Sequence, residues 1–356
     1  MYIKENVILS EHTSIKLGGT ALYFISCRST DEITEALKFS KEKNLQVQIM
    51  SGGSNIVFPD TGFPGVVISV EIKGLTFHKS GDDIFAVAGA GVSLDGLIVE
   101  CIDRGYAGIE CLSGIPGSAG AAPIQNAGAY GQEIADVLEY VTVIDRKDYS
   151  LRKFTNTECG FSYRQSRFKK EDADKYIITE ICIRLSENSL KEIKYSTLNE
   201  RLCSNQDYEK VKCKKEKLSI IRNTILEIRK EKSMVLDKAD INSRSCGSFF
   251  MNPVLDEGKF LEFRNKISKL YSDFPFYISG NEYKIPAAWL VEKSGFKKGY
   301  RINGVGISSN HSLALINISG TASDLIHLSD EIQKAVKIKF GINLIPEPVI
   351  VKSRKN

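Results

Sequence analysis

Residues 111–131 read Cys-Leu-Ser-Gly-Ile-Pro-Gly-Ser-Ala-Gly-Ala-Ala-Pro-Ile-Gln-Asn-Ala-Gly-Ala-Tyr-Gly. Glycine and alanine crowd a segment that also carries Gln125, Asn126 and Tyr130. A chain so poor in large side chains is built to bring its backbone against something. Glycine adopts dihedrals closed to other residues and lets main-chain N–H groups approach a ligand, which suits an extended polar ligand such as a nucleotide diphosphate. A lone Gly-x-Gly would be read as a tight buried turn. Repeated glycines with interleaved amide side chains favour a cofactor cradle.

A second glycine loop, Ser51-Gly52-Gly53-Ser54-Asn55, begins over 60 residues before Gly114. Neither loop has the Gly-x-Gly-x-x-Gly spacing of a Rossmann dinucleotide site, since Gly89-x-Gly91 lacks the third glycine and Gly114-Ile-Pro-Gly117 has the wrong interval. A Gly-x-x-x-x-Gly-Lys-Ser/Thr phosphate loop is also absent, which disfavours ATP or GTP chemistry. Joint use of two separated loops points to an elongated cofactor held across two lobes.

Around these loops the pattern alternates helix and strand. Residues 29–43 predict a helix with Ser29 and Glu32 as a capping box and Ile33, Ala36, Leu37 and Ser40 on one face. Strands are expected at Leu45–Ile49, Val66–Ile72, Ile84–Val87, 137–145 and 177–185, and a helix from Leu94 to the stop at Gly105. The lysine-rich stretch 201–217 reads as a solvated connection. After it, Leu218, Ile221, Ile225 and Ile228 trace one side of an amphipathic helix ending near Arg229-Lys230-Glu231-Lys232. The C-terminal part predicts a short helix at Ala287–Lys293, a strand at 312–317 and a helix from about Asp324 to Phe340 closed by Gly341.

Composition narrows the classes. The 356 residues are 42% hydrophobic and 26% charged with a net charge of +4, which is globular and too weakly basic to argue for nucleic acid. No run approaches the roughly 20 apolar residues of a membrane span, and the start Met-Tyr-Ile-Lys-Glu-Asn shows no export signal, so a cytoplasmic protein is expected. The eight cysteines form no Cys-x-x-Cys pair and only four histidines are present; this predicts reduced, often buried thiols and no metal site.

Six ordered motifs carry a resemblance: Lys16-Leu-Gly-Gly-Thr-Ala21, Ser51-Gly-Gly-Ser-Asn55, Gly114-Ile-Pro-Gly-Ser118, Pro123-Ile-Gln-Asn-Ala-Gly-Ala-Tyr-Gly131, Tyr163-Arg-Gln-Ser-Arg-Phe-Lys169 and Gly247-Ser-Phe-Phe-Met-Asn-Pro253. In this order they resemble the UDP-N-acetylenolpyruvoylglucosamine reductase family, over about residues 8 to 350. The resemblance implies an α/β and α+β chain: a PCMH-type (vanillyl-alcohol-oxidase-like) FAD-binding fold of two lobes, with a C-terminal α+β substrate-binding domain. The boundaries expected are 1–75, with 341–356 returning to it, for the first lobe, 76–215 for the second and 216–340 for the substrate domain. It implies non-covalent FAD, NADPH as co-substrate and UDP-N-acetylglucosamine enolpyruvate as substrate, in peptidoglycan precursor synthesis, by a monomer that contacts neither nucleic acid nor membrane.

Hydride addition to a double bond conjugated with a carboxylate puts negative charge on that carboxylate and the adjacent carbon, so an anion must be stabilised and a proton delivered. Ser248 matches the family's proton donor; a serine hydroxyl is a poor acid and needs a charge partner or relay. Arg164 matches the arginine that steadies the enolate, a role suited to a planar, permanently charged fork. Arg167, three residues on, reads as a surface arginine paired with a carboxylate. Glu347, in Leu344-Ile-Pro-Glu347-Pro-Val349, matches the glutamate of the set, with Ile345 and Pro348 departing from the usual flanks. Tyr195, Lys232, Asn252, Lys284 and His311 match substrate contacts, Tyr195 being the tyrosine that one branch of the family closes over the UDP diphosphate. FAD contacts are expected from Gly52, Gly53, Ser54, Asn55, Gly117, Ser118, Gln125, Asn126 and Gly128. The rival readings are another flavin oxidase or dehydrogenase on the same fold, which would not explain Gly247-Ser-Phe-Phe together with Arg164, and a non-catalytic UDP-sugar binder.

Overall fold

A computed structural model describes residues 1–190, 192, 193 and 195–352. The chain divides into two compact units. The first comprises Met1–Val7, Ala21–Gly53 and Phe63–Val235; the second comprises Ile8–Thr20, Ser54–Gly62 and the chain from Leu236 onward.

In the first unit a four-stranded sheet has the spatial order Tyr2–Ile8, Thr20–Cys27, Phe63–Val70, Val47–Met50. The three strands Thr20–Cys27, Phe63–Val70 and Val47–Met50 run parallel, with Val66 opposite both Tyr23 and Val47. Parallel pairing requires a crossover, supplied by the helix Thr30–Glu42. Ile33, Ala36, Leu37 and Ser40 are buried as the helical spacing predicts. The expected capping box is displaced by one residue: Ser29 Oγ accepts from Glu32 N at 3.2 Å, whereas the Glu32 carboxylate accepts from Arg28 N at 2.6 Å. A five-stranded antiparallel sheet follows in the order Leu151–Thr155, Leu138–Asp145, Tyr176–Ser186, Asp83–Gly89, Leu75–Ser80. One apolar core serves both sheets, joining Ile25, Val66 and Ile68 to Ala86, Leu97, Val141 and Ile181.

The lysine-rich stretch is folded rather than a solvated connection, with helices Ser196–Ser204, Gln206–Lys210 and Lys214–Glu231. Leu198 and Leu202 pack with Ile221, Ile225, Ile228 and Cys111, and Lys214 Nζ donates to Ser186 O at 2.7 Å. That packing keeps the helix Lys214–Glu231 in the first unit, whereas the sequence put the boundary at 216.

In the second unit the helix Ala322–Phe340 buries Leu325, Leu328, Ile332, Val336 and Phe340. It starts two residues before the expected Asp324, because Thr321 and Asp324 form a reciprocal capping box, and it ends at Gly341 with φ +77°. Three antiparallel strands, Arg301–Ile302, Val305–Ile307 and Leu315–Asn317, lie beside it. The two-residue strands Ile56–Val57 and Val349–Ile350 pair in parallel, both within the second unit. The last four residues of the expected 341–356 return lie outside the described residues.

Six of the eight cysteines are buried and all are free. Burial pushes the Cys27 and Cys111 thiols up to about 12, which makes them inert apolar fillers.

Candidate active site

The two glycine loops meet. Ser51 Oγ donates to Ser118 Oγ, and a Cβ placed on Gly52 would stand 3.1 Å from Gly117 Cα. Gly53, Gly114 and Gly117 have φ of +64°, +73° and +118°, a region disfavoured for residues with a Cβ. The Gly117 carbonyl is spent on Leu94 N at 3.1 Å, and Ser118 bridges to Ser93. The absence of Cβ atoms at this approach leaves main-chain groups accessible to an elongated anion, which is what an FAD cradle requires. Of the residues expected to contact FAD, Gly52, Gly53, Gly117 and Ser118 come together here. Gln125 is half-buried at the end of the 3-10 helix Ala119–Gln125. Ser54 and Asn55 belong to the second unit, where Asn55 O accepts from Val349 N at 3.0 Å.

Asn126, one of the residues expected to contact FAD, has its side chain engaged within the chain. It is 1% exposed, its Nδ2 donates to Glu133 Oε2 at 2.6 Å and to Ser162 O at 3.2 Å, and its Oδ1 accepts from Ala135 N at 3.1 Å. Both amide donors are engaged, so what Asn126 offers a ligand is backbone. Gly128 pairs with Glu133, whose Cγ would lie 2.8 Å from a Cβ there.

The Asn126–Ser162 bond fastens the turn that carries Arg164. Ser162 and Gln165 exchange backbone hydrogen bonds at 3.1 and 3.0 Å, leaving Tyr163 and Arg164 as a two-residue turn. Arg164 has φ +55°, which is uncommon for a residue with a Cβ. Ser166 Oγ donates to Ile124 O at 2.7 Å, a second tie between this turn and the glycine segment. A strained turn over-determined by its surroundings is the arrangement expected where a side chain must be held in place. Arg167 instead pairs with Asp172 at 2.6 Å, as the sequence suggested.

Ser248 is half-buried between Gly247, with φ +74°, and the buried Phe249. Its segment is held on both sides. Phe249 N donates to Leu313 O at 2.7 Å, Glu347 N donates to Phe249 O at 2.8 Å and Met251 N donates to Ile345 O at 3.0 Å. Ser248 and Glu347 therefore stand on adjoining backbone segments of the second unit. His311 heads the turn leading to Leu313, and its Nδ1 accepts from Leu313 N at 3.1 Å, which leaves Nε2 to carry the proton when the ring is neutral. Asn252 Oδ1 accepts from Ala287 N at 2.9 Å at the start of the helix Ala287–Lys293. Lys284 ends the strand Glu282–Lys284, opposite Val254 and Tyr277.

Tyr195 and Lys232 sit in the first unit. Tyr195 precedes the helix Ser196–Ser204, and its ring meets that of Tyr130 edge-on at 5.3 Å. Lys232 caps the helix Lys214–Glu231. The sequence reading passed over Arg229 and Arg222 on that helix. Arg222 forms a two-pronged pair with Asp95 at 2.6 and 2.8 Å, and Asp95 Oδ1 also accepts from Gly114 N at 2.6 Å. Burial alone would raise the Asp95 pKa, but the bonds from Arg222 and Gly114 outweigh it and hold the carboxyl below its ordinary value. The stripe Arg222, Leu226, Arg229 at helical spacing was the available signal, hidden beside the stronger isoleucine stripe.

Comparison with known proteins agrees with this geometry. A family model described as an FAD binding domain matches residues 21–152, and one described as the C-terminal domain of UDP-N-acetylenolpyruvoylglucosamine reductase matches 239–351. The UDP-N-acetylenolpyruvoylglucosamine reductase of Thermobifida fusca is 39% identical over 353 residues, covering 97% of each chain. That of Salinispora arenicola is 37% identical, covering 96% of this chain and 94% of its own. The crystal structure of the corresponding reductase from Thermus caldophilus shares the fold, with a TM-score of 0.67 at 23% identity over 99% of this chain and 100% of that one. Cradle and family models together define a flavoprotein oxidoreductase that binds FAD. More particularly, the chain belongs to the UDP-N-acetylenolpyruvoylglucosamine reductase family.

Among the described residues no helix is long and apolar enough to cross a membrane, and no group of three or more His, Cys, Asp or Glu is placed to hold a metal ion.

Proposed function

We propose that this protein reduces UDP-N-acetylglucosamine enolpyruvate to UDP-N-acetylmuramate with NADPH, as a cytoplasmic, monomeric step in peptidoglycan precursor synthesis. FAD, held non-covalently on Gly52, Gly53, Gly117 and Ser118 with neighbouring backbone, supplies hydride transfer between NADPH and the substrate olefin. Addition of hydride at the terminal olefinic carbon leaves the electron pair on the carbon that bears the carboxylate. Arg164, pinned in its left-handed turn, offers a charged fork to that carboxylate as charge accumulates. Ser248 Oγ gives its proton to the carboxylate-bearing carbon, and Glu347, with Arg164, stabilises the enolate-like charge. Tyr195, Lys232, Asn252, Lys284 and His311 bind the UDP-sugar.

The observation that carries this reading is the backbone bond from Glu347 to Phe249, 2.8 Å, which sets the proposed proton donor and the proposed stabilising glutamate on adjoining segments behind a glycine with φ +74°. The test is spectroscopic. Purified protein is expected to be yellow, to bleach when NADPH is added anaerobically, and to recolour only on adding the enolpyruvyl UDP-sugar. A colourless protein that takes up no FAD, or rapid recolouring by a small alcohol's ketone with none by the UDP-sugar, would contradict it.

A further inference from the structure

The helix Lys214–Glu231 carries two arginines toward the glycine segment, and only one has a carboxylate. Arg222 is satisfied by Asp95, and Asp95 is then used up, since the same oxygen that meets Arg222 also takes Gly114 N. Arg229, two turns further along, forms no ion pair among the described residues. Its Nη2 donates to Met234 O at 2.8 Å, it hydrogen-bonds the Tyr130 hydroxyl, and its Nε is sealed from solvent with no hydrogen-bond partner. Burial lowers the guanidinium pKa from its ordinary value, with Tyr130 and the charge of Asp95 opposing that shift. A largely buried guanidinium that makes no direct ion pair among the described residues and leaves its Nε donor orphaned is a costly arrangement in a folded chain.

Its place says what relieves the cost. Gly114 lies directly against it: a Cβ there would be 3.2 Å from Arg229 Nε and 2.7 Å from Leu226 Cδ2. On its other side stands Tyr130, whose ring meets Tyr195 edge-on at 5.3 Å. Arg229 thus joins the glycine cradle to the tyrosine expected at the UDP diphosphate. Arginine presents five donors in a rigid fork matched to phosphate oxygens.

We propose that Arg229 is a diphosphate-binding residue, its guanidinium completing its hydrogen bonds and its charge balance only on a bound nucleotide diphosphate. This rests on the proposed function for the identity of the ligands, both of which carry that group: FAD and the UDP-sugar. A diphosphate supplies a directly bonded anion, whereas Asp95, bonded to Arg222 and Gly114, acts on Arg229 only through its charge, and the missing side chain at Gly114 allows the backbone and the guanidinium to meet the diphosphate from the same side.

Full-length Arg229→Met and Arg229→Lys are compared with wild type by equilibrium titration. Four probes are used: UDP against uridine, and FAD against riboflavin. Loss of the fork is expected to weaken one diphosphate ligand about tenfold to a hundredfold in the Met variant while its phosphate-free partner binds as before. Lys, which keeps the charge without the fork, recovers part of the loss. Selective loss of UDP assigns Arg229 to substrate, and selective loss of FAD assigns it to the cofactor. Equal weakening of uridine with UDP and of riboflavin with FAD, or no change beyond about twofold in any, overturns the proposal and makes Arg229 a packing residue. Should the Met variant fail to fold, the Lys variant decides by the same ratios. Wild-type protein that binds neither UDP nor FAD would overturn the functional reading itself.

Discussion

At the point where the two glycine loops touch, there is no room for a side chain. Gly52→Ala would press a Cβ to 3.1 Å from Gly117 Cα, tighter than ordinary contact, and the loops must part by a few tenths of an ångström. An overpacking cost of about 1–3 kcal/mol at the cradle is expected to appear as roughly tenfold or greater weakening of FAD retention, read from absorbance after dialysis. Retention equal to wild type would remove the cradle from this loop pair. Asn126 answers to a different measurement. Replacing it with leucine strands Glu133 Oε2 and Ser162 O, at about 1–3 kcal/mol for each buried polar group left unsatisfied, and should lower the thermal midpoint. Because the Ser162 bond also ties down the Arg164 turn, turnover should fall more than flavin content does. The sequence showed that this asparagine mattered but not how, since an amide beside glycines looks the same whether it faces a ligand or the chain.

Elements with a long apolar period were legible and short ones were not. The helices Lys214–Glu231 and Ala322–Phe340 follow directly from isoleucines and leucines recurring every three to four residues. The helices Ser196–Ser204 and Gln206–Lys210 bury only Leu198 and Leu202 between them, so their composition resembled that of a solvated loop. Strands of two or three residues, such as Val254–Leu255 and Tyr277–Ser279, are too short to show alternation at all. The Asp95–Arg222 pair, which locks the helix Lys214–Glu231 to Gly114, makes a prediction about pH. The folded Asp95 pKa lies below the unfolded value, so its stabilisation is complete above the unfolded pKa of about 3.9 and drains away as pH falls through the folded one. Asp95→Asn should therefore be less stable than wild type at pH 7 in urea titrations, with the gap narrowing toward pH 3. A gap independent of pH would show that the carboxylate charge contributes nothing.

Across the whole molecule, Arg164 belongs to the first unit and Ser248 and Glu347 to the second. Ordered motifs made the family legible because each marks a place where backbone geometry leaves little choice: glycines at positive φ at 53, 114, 117 and 247, and a strained arginine at 164. Arg229 was not legible, because a lysine- and arginine-rich helix end looks like a solvated surface until burial is known. In the proposed reaction the proton from Ser248 is needed only after NADPH has done its part. Rapid mixing of Ser248→Ala separates the two half-reactions. Flavin reduction by NADPH should proceed at close to the wild-type rate, while reoxidation by the enolpyruvyl UDP-sugar slows by about a hundredfold to ten-thousandfold, the range of a lost general acid. Equal slowing of both halves, or an unchanged reoxidation rate, would contradict it.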